Sequence, residues 1–103
     1  VNSTSARRRV DGLAVTVTDH ARERARARFP GFKAARIVDE VHAGLLDGRV
    51  SATKPRWAEI VERSSPGGLF VWTPGEDRAH VIVLDRYTDE TAFVVVTTLQ
   101  RIA

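Results

Sequence analysis

The sequence predicts an α+β fold in the order β-α-α-β-β-β, with two helices packed on one face of a mostly antiparallel four-stranded sheet. Three observations carry this. Leu13, Val15 and Val17 alternate with Ala14, Thr16 and Thr18, the period of two expected of a strand with one face turned inward. Ala34, Ile37, Val38, Val41 and Leu45 recur at spacings of three and four, which places them on one stripe of a helix. Residues 69–73, 79–87 and 91–100 are dense in Val, Ile, Leu, Phe and Thr and are separated by short polar turns, so consecutive antiparallel hairpins are expected.

Taken in order, residues 1–9 are polar, carry Arg7, Arg8 and Arg9 in a row, and read as a mobile basic arm ahead of a single domain over 10–103. After the first strand, Asp19 stands where a helix N-cap belongs, and the good helix formers of HARERARARF follow it as far as Phe29-Pro30-Gly31. The second helix is expected over 33–47. Arg36, Asp39, Glu40, Ala43 and Asp47 form its solvated side, and Gly48 is its stop. Residues 49–68 hold Pro55, Pro66 and paired glycines and read as a long connection, with one helical turn at 58–63. The apolar runs 80–84 and 93–96 place hydrophobic side chains on both faces of the last two strands, which calls for cover from the long connection or from a partner.

Composition narrows the function classes. A chain of 103 residues with 43% hydrophobic and 28% charged side chains supports one core, which excludes a disordered tail and a multidomain enzyme. No cysteine is present, so disulfides, thiolate zinc sites and cysteine nucleophiles are excluded. The three histidines at 20, 42 and 80 show no paired ligand spacing, and neither a metal nor another cofactor is expected. No G-x-S-x-G elbow supports a serine hydrolase. No apolar stretch reaches the ~18 residues of a membrane span, and the polar start lacks the apolar segment of a secretory signal. Fourteen of the sixteen basic side chains are arginine, the cation suited to bidentate phosphate contact.

The strand, the two helices and the final three-stranded meander, in about a hundred basic residues, resemble the RelE/ParE-like toxin fold, a branch of the grouping that joins barnase, EndoU, the tRNA-cutting colicins and RelE. Two local features add to the likeness. Asp19-His20-Ala21-Arg22-Glu23-Arg24 is similar to the His-Ala-x-x-Arg helix opening of small bacterial domains related to this group, and Phe93-Val94-Val95-Val96-Thr97-Thr98 is similar to their hydroxyl-bearing last strand. The resemblance covers residues 12–102 and is topological more than literal; the C-terminal helix of many RelE-like members has no counterpart here. It implies metal-independent RNA cleavage, in which a 2′-hydroxyl attacks the adjacent phosphate. It also implies an RNA substrate, an acidic antitoxin or immunity protein as partner, no membrane, and action in the cytoplasm, with delivery inside a larger secreted toxin as a further route.

Such chemistry needs proton-transfer groups near neutral pKa, cations and hydroxyls. His20 heads the candidates because it lies where a strand hands over to a helix N-terminus, whose free amides favour an anion. His80 is its expected complement on a strand, with Arg86 at the far end of the same register. Arg22 and Arg24 lie nearest His20 and are expected to stabilise charge, while Arg26 extends a basic row along the helix. Thr97 and Thr98 point to opposite faces of the last strand, so one of them reaches the site, with Thr98 assigned to catalysis and Thr97 to substrate. Arg86 and Tyr87 supply a cation and a ring, and Trp57 is a candidate stacking platform. His42 is expected as a packed residue at the edge of the apolar stripe. The competing reading is a non-catalytic toxin-fold or phage-type interaction module that inhibits a host protein.

Overall fold

Two strands, rather than one, precede the first helix. The structure, a computed structural model, describes residues 6–10, 13–59, 68–85 and 92–102. Strand β1 (Ala6–Val10) runs antiparallel to β2 (Leu13–Val17), with Arg8 opposite Val15. Residues 6–9, expected in a mobile arm, are therefore part of the sheet. Pairing supplies partners for backbone groups that would otherwise lie unpaired along β2.

Helix α1 (Asp19–Arg28) begins one residue earlier in its capping than expected. Thr18 is the N-cap: its extended backbone leads out of β2, its hydroxyl accepts from Ala21 N at 3.2 Å, and the same hydroxyl donates to the Val95 carbonyl at 3.0 Å. Asp19 becomes the first helical residue, where its charge still favours the N-terminal dipole. Ala21 and Ala25 are the buried face of α1, and two methyl groups on successive turns let the helix lie close against β6. Helix α2 (Ala35–Asp47) buries Ile37, Val38 and Val41 as its spacing predicts, and Gly48 closes it in the left-handed conformation at φ 78°.

The long connection opens with a short strand, β3 (Val50–Ser51), followed by β4 (Leu69–Trp72), β5 (Arg78–Leu84) and β6 (Ala92–Gln100). The sheet has six strands in the order β1-β2-β6-β5-β4-β3. The α+β class and the antiparallel β4-β5-β6 meander agree with the sequence, whereas β1 and β3 enlarge the expected four strands and β2 pairs parallel to β6. The reason is connectivity. A hairpin forces its two strands antiparallel, but β2 and β6 are joined through both helices and three intervening strands, which leaves the direction free.

Both sheet faces are covered, by different means. On one face Val15, Val17, Val71, Ile82 and Val95 meet Ile37, Val38, Val41, Ala21, Ala25 and Phe32 of the helical layer. On the other, Ala79, Val81 and Leu99 lie under Ala58 and Trp57 of the connection and beside Phe70 and Trp72. The connection thus supplies part of the cover that the apolar runs demanded, and leaves Phe70 and Trp72 half-buried. An isolated bridge of Ala58 to Arg101 holds it, with Glu59 N donating to Gln100 O at 2.9 Å. The helical turn expected at 58–63 is not seen at its first two residues, and the rest of it lies outside the described residues. Among the described residues no helix is long and apolar enough to cross a membrane.

Close packing of α2 on β4 makes one glycine irreplaceable. A Cβ added at Gly44 would drive into a Val71 methyl, and Val71 is fully buried. Gly44→Ala is expected to destabilise the fold by about 1–3 kcal/mol through overpacking. An exposed helix site would instead gain up to about 1 kcal/mol. The urea midpoint of the variant decides the sign.

Candidate functional site

The first polar cluster is buried and centres on Glu40, which the sequence placed on the solvated side of α2. Position 40 borders the apolar stripe, and the helix turns it inward over β5, so that its side chain is only 13% exposed. Glu40 Oε1 accepts from His80 Nε2 at 2.7 Å and from Arg78 Nε at 3.0 Å, while Oε2 accepts from Arg78 Nη2 at 2.6 Å. His80 is fully buried, and its Nδ1 lies 2.9 Å from Thr98 Oγ1. A carboxylate only accepts, so Nε2 carries a proton, and in the neutral ring the threonine hydroxyl donates to Nδ1. The Arg78 guanidinium lies over the adjacent rings of Phe29 and Phe32, at 5.0 and 4.7 Å from their centres.

A β-bulge decides which threonine takes part. Val81 pairs with Thr97, yet Ile82 pairs with Val95, so one extra residue of β6 is accommodated there. Beyond it the inward parity of β6 switches, and Thr98 instead of Thr97 joins His80 under the helices. Thr97, opposite Val81, stands on the other face.

Electrostatics hold Glu40 and Arg78 in their charged forms. Burial acts to raise the Glu40 carboxyl, but hydrogen bonds from His80 and Arg78, with their charge, outweigh it and hold the group at about 2. The bond to Glu40 likewise raises Arg78 against the opposing effect of burial. Because the Glu40 pKa is depressed on folding, its contribution is complete above the ordinary carboxylate value and is lost as pH falls through about 2. Stability is therefore expected to decline from roughly pH 5 downward by about 3 kcal/mol through this one group. The decline should be smaller in Glu40→Gln, which keeps only the acid sensitivity of the other paired carboxylates such as Glu59, as urea midpoints across the acid range would show.

The carboxylate, imidazole and hydroxyl lie in the order of a nucleophile relay, but Thr98 and His80 are both fully buried. No substrate reaches that hydroxyl. The expected catalytic placement of His80 and Thr98 is thus corrected: both are sealed beneath α2, and their role is to tie α2 to β5 and β6.

The second cluster is on the surface. His20 is exposed in the first turn of α1, and Arg24 Nε donates to its Nε2 at 3.4 Å. Arg28 continues the same side of the helix one turn on and pairs through two nitrogens with Glu59, whose Oε1 also accepts from Gln100 N at 3.1 Å. Burial opposes ionisation of Glu59, and Arg28, the Gln100 amide and the nearby charge of Arg24 overcome it, so its pKa lies below the ordinary value. Glu59 went unnoticed in the sequence because it sits in the aperiodic connection. Arg22 approaches Asp19 at 3.9 Å on another side of the helix, and Arg26 is exposed.

No known protein family, characterised protein or solved structure matches this chain. Function is therefore argued from geometry. Of the expected site residues, the fold brings His20 to Arg24 and His80 to Thr98, but these pairs belong to separate clusters, one exposed and one buried. Trp57 and Thr97 fall on the sheet face opposite the helices. Arg86 and Tyr87 lie outside the described residues.

A cleft of about 620 Å³ opens beside the buried cluster, between one side of α2, from Arg36 to Asp47, and the β4-β5 turn. Its three arginines face carboxylates: Arg78 pairs with Glu40 and Asp77, Arg49 with Asp47 at 2.6 Å, and Arg36 with Glu40 at 3.6 Å. This balance makes it a poor anion site. The exposed His20–Arg24 side of α1 is the better candidate.

Proposed function

We propose that the chain is a metal-independent endoribonuclease of the RelE-like toxin type, with His20 as the proton-transfer group and Arg24 as the phosphate-binding cation. The observation that carries this reading is the exposed imidazole at the strand-to-helix junction, in contact with a guanidinium. A bond of 3.4 Å between exposed groups is weak and gives way to a stronger anion. When a phosphate arrives, Arg24 turns to its oxygens, and the Nε2 lone pair is released to accept the 2′-hydroxyl proton. The 2′-oxygen then attacks phosphorus, the 5′-oxygen leaves with a proton from water, His20 returns the proton it accepted to solvent, and Arg24 stabilises the added negative charge.

Arg26 extends the basic surface of the same helix, and Arg28, neutralised by Glu59, marks where it stops. An acidic antitoxin or immunity protein fits this surface by charge, and RNA in the cytoplasm is the natural target. The decisive experiment incubates the purified chain with labelled tRNA, mRNA and ribosome-bound message in excess chelator. Cleavage that leaves 2′,3′-cyclic phosphate ends supports the reading. Intact RNA in every case refutes it in favour of a non-catalytic interaction module.

A further inference from the structure

The sheet face opposite the helices collects aromatic groups that the cleavage chemistry does not use. Phe70 and Trp72 alternate on β4 and point to this face together. Their cross-strand partners on β5 are small, Val81 beside Phe70 and Ala79 beside Trp72, and beyond them on β6 lie Thr97 and Leu99. Ala79, Val81 and Leu99 form a buried floor, while Phe70, Trp72 and Thr97 are only half-buried above and around it. At the far side the connection delivers Trp57, also half-buried, pinned by its carbonyl accepting from Ile102 N at 2.7 Å. Arg101, exposed, places its guanidinium 5.8 Å from the Trp57 ring centre.

We propose that this face is a stacking platform for the unpaired bases of a single-stranded nucleic acid. Three features select that occupant. Two aromatic rings stand on β4 and a third is held beside them by the connection, and every base can stack on such rings. The exposed Arg101 beside Trp57 supplies charge for the phosphate backbone together with a second planar surface. The chain as a whole carries a net charge of +3, complementary to a polyanion. A duplex has no free base faces to offer and is excluded by the same logic. That the strand is RNA rests on the cleavage reading; that its bases stack does not.

The chain provides its own probe, because Trp57 and Trp72 are its only tryptophans and both belong to this face. Intrinsic fluorescence of the full chain is titrated with a short 2′-O-methyl RNA, which lacks the attacking hydroxyl and stays uncut. DNA of the same sequence and a matching RNA duplex form the other arms. Saturable quenching by the single strands is expected, with the duplex weaker by about tenfold or more. A stronger response to RNA than to DNA assigns the strand to RNA, and equal responses assign general single-strand binding; both support the platform. Trp57→Leu is expected to weaken binding by about tenfold. Arg101→Gln, at an exposed position that leaves the fold intact, should do so by several-fold. The platform is overturned by binding without quenching, by equal affinity for the duplex, by an Arg101→Gln variant that binds as the parent does, or by self-association that buries the tryptophans. RNA cleavage without quenching removes the platform and leaves His20 standing, while quenching without cleavage does the reverse.

Discussion

His20→Ala is expected to lower RNA cleavage by about two orders of magnitude or more, the usual loss when a positioned acid or base is removed. The ring is exposed in the first turn of α1 and contributes nothing to either apolar cluster, so the folded state should be unaffected within about 0.5 kcal/mol. Activity and stability are thereby separated in one variant. Arg24→Lys refines the test, since an ammonium keeps the charge but loses the planar fork that engages two phosphate oxygens. Its loss should fall between those of Arg24→Gln and the parent. Single-turnover cleavage with substrate in excess chelator measures all three. Undiminished cleavage by His20→Ala would remove the imidazole from the mechanism.

The largest effect on stability is expected at Glu40. Glu40→Ala leaves Arg78 with only the more exposed Asp77 as its partner and His80 Nε2 without its acceptor, and breaking a buried pair of this kind costs about 3–5 kcal/mol. For a domain of this size that is a large share of the total stability, which typically amounts to about 5–15 kcal/mol. Glu40→Gln should lose less, because the amide oxygen still accepts one bond. Thr98→Val, which removes a single hydroxyl from the other side of the ring, should cost about 1–3 kcal/mol. Urea unfolding at neutral pH ranks the three. If Glu40→Ala unfolds at the parent midpoint, the network does not hold α2 to the sheet. These variants also probe function by contrast, for a folded Thr98→Val should cleave RNA at the parent rate, as suits a sealed hydroxyl.

Local pattern carried much of the fold. The alternation through Val17 and the stripe through Ile37, Val38 and Val41 correspond to β2 and α2, and Gly48 stops α2 as expected. Capping was legible only to within a residue, since Thr18 and Asp19 are both good N-caps and the choice came from the Val95 carbonyl, which gives the Thr18 hydroxyl a second bond. The site was half legible. His20 with Arg24 follows from helical spacing alone, four residues apart on one side. Glu40 and Glu59 were missed because each is defined by partners distant in sequence, at separations of 40 and 31 residues.

What the residues determined by themselves is the two helices, the strands β2, β4, β5 and β6, the glycine stop of α2 and its apolar stripe, because those depend on backbone preference and on burial within a few neighbouring positions. Tertiary structure alone decided that β1 joins the sheet, that β2 runs parallel to β6, and that a bulge sends Thr98 inward and Thr97 outward. It also decided that His80 is sealed while His20 stays open. Register and burial arise from contacts between strands and helices far apart in the chain, and a one-residue slip in such contacts turns every later side chain to the opposite face.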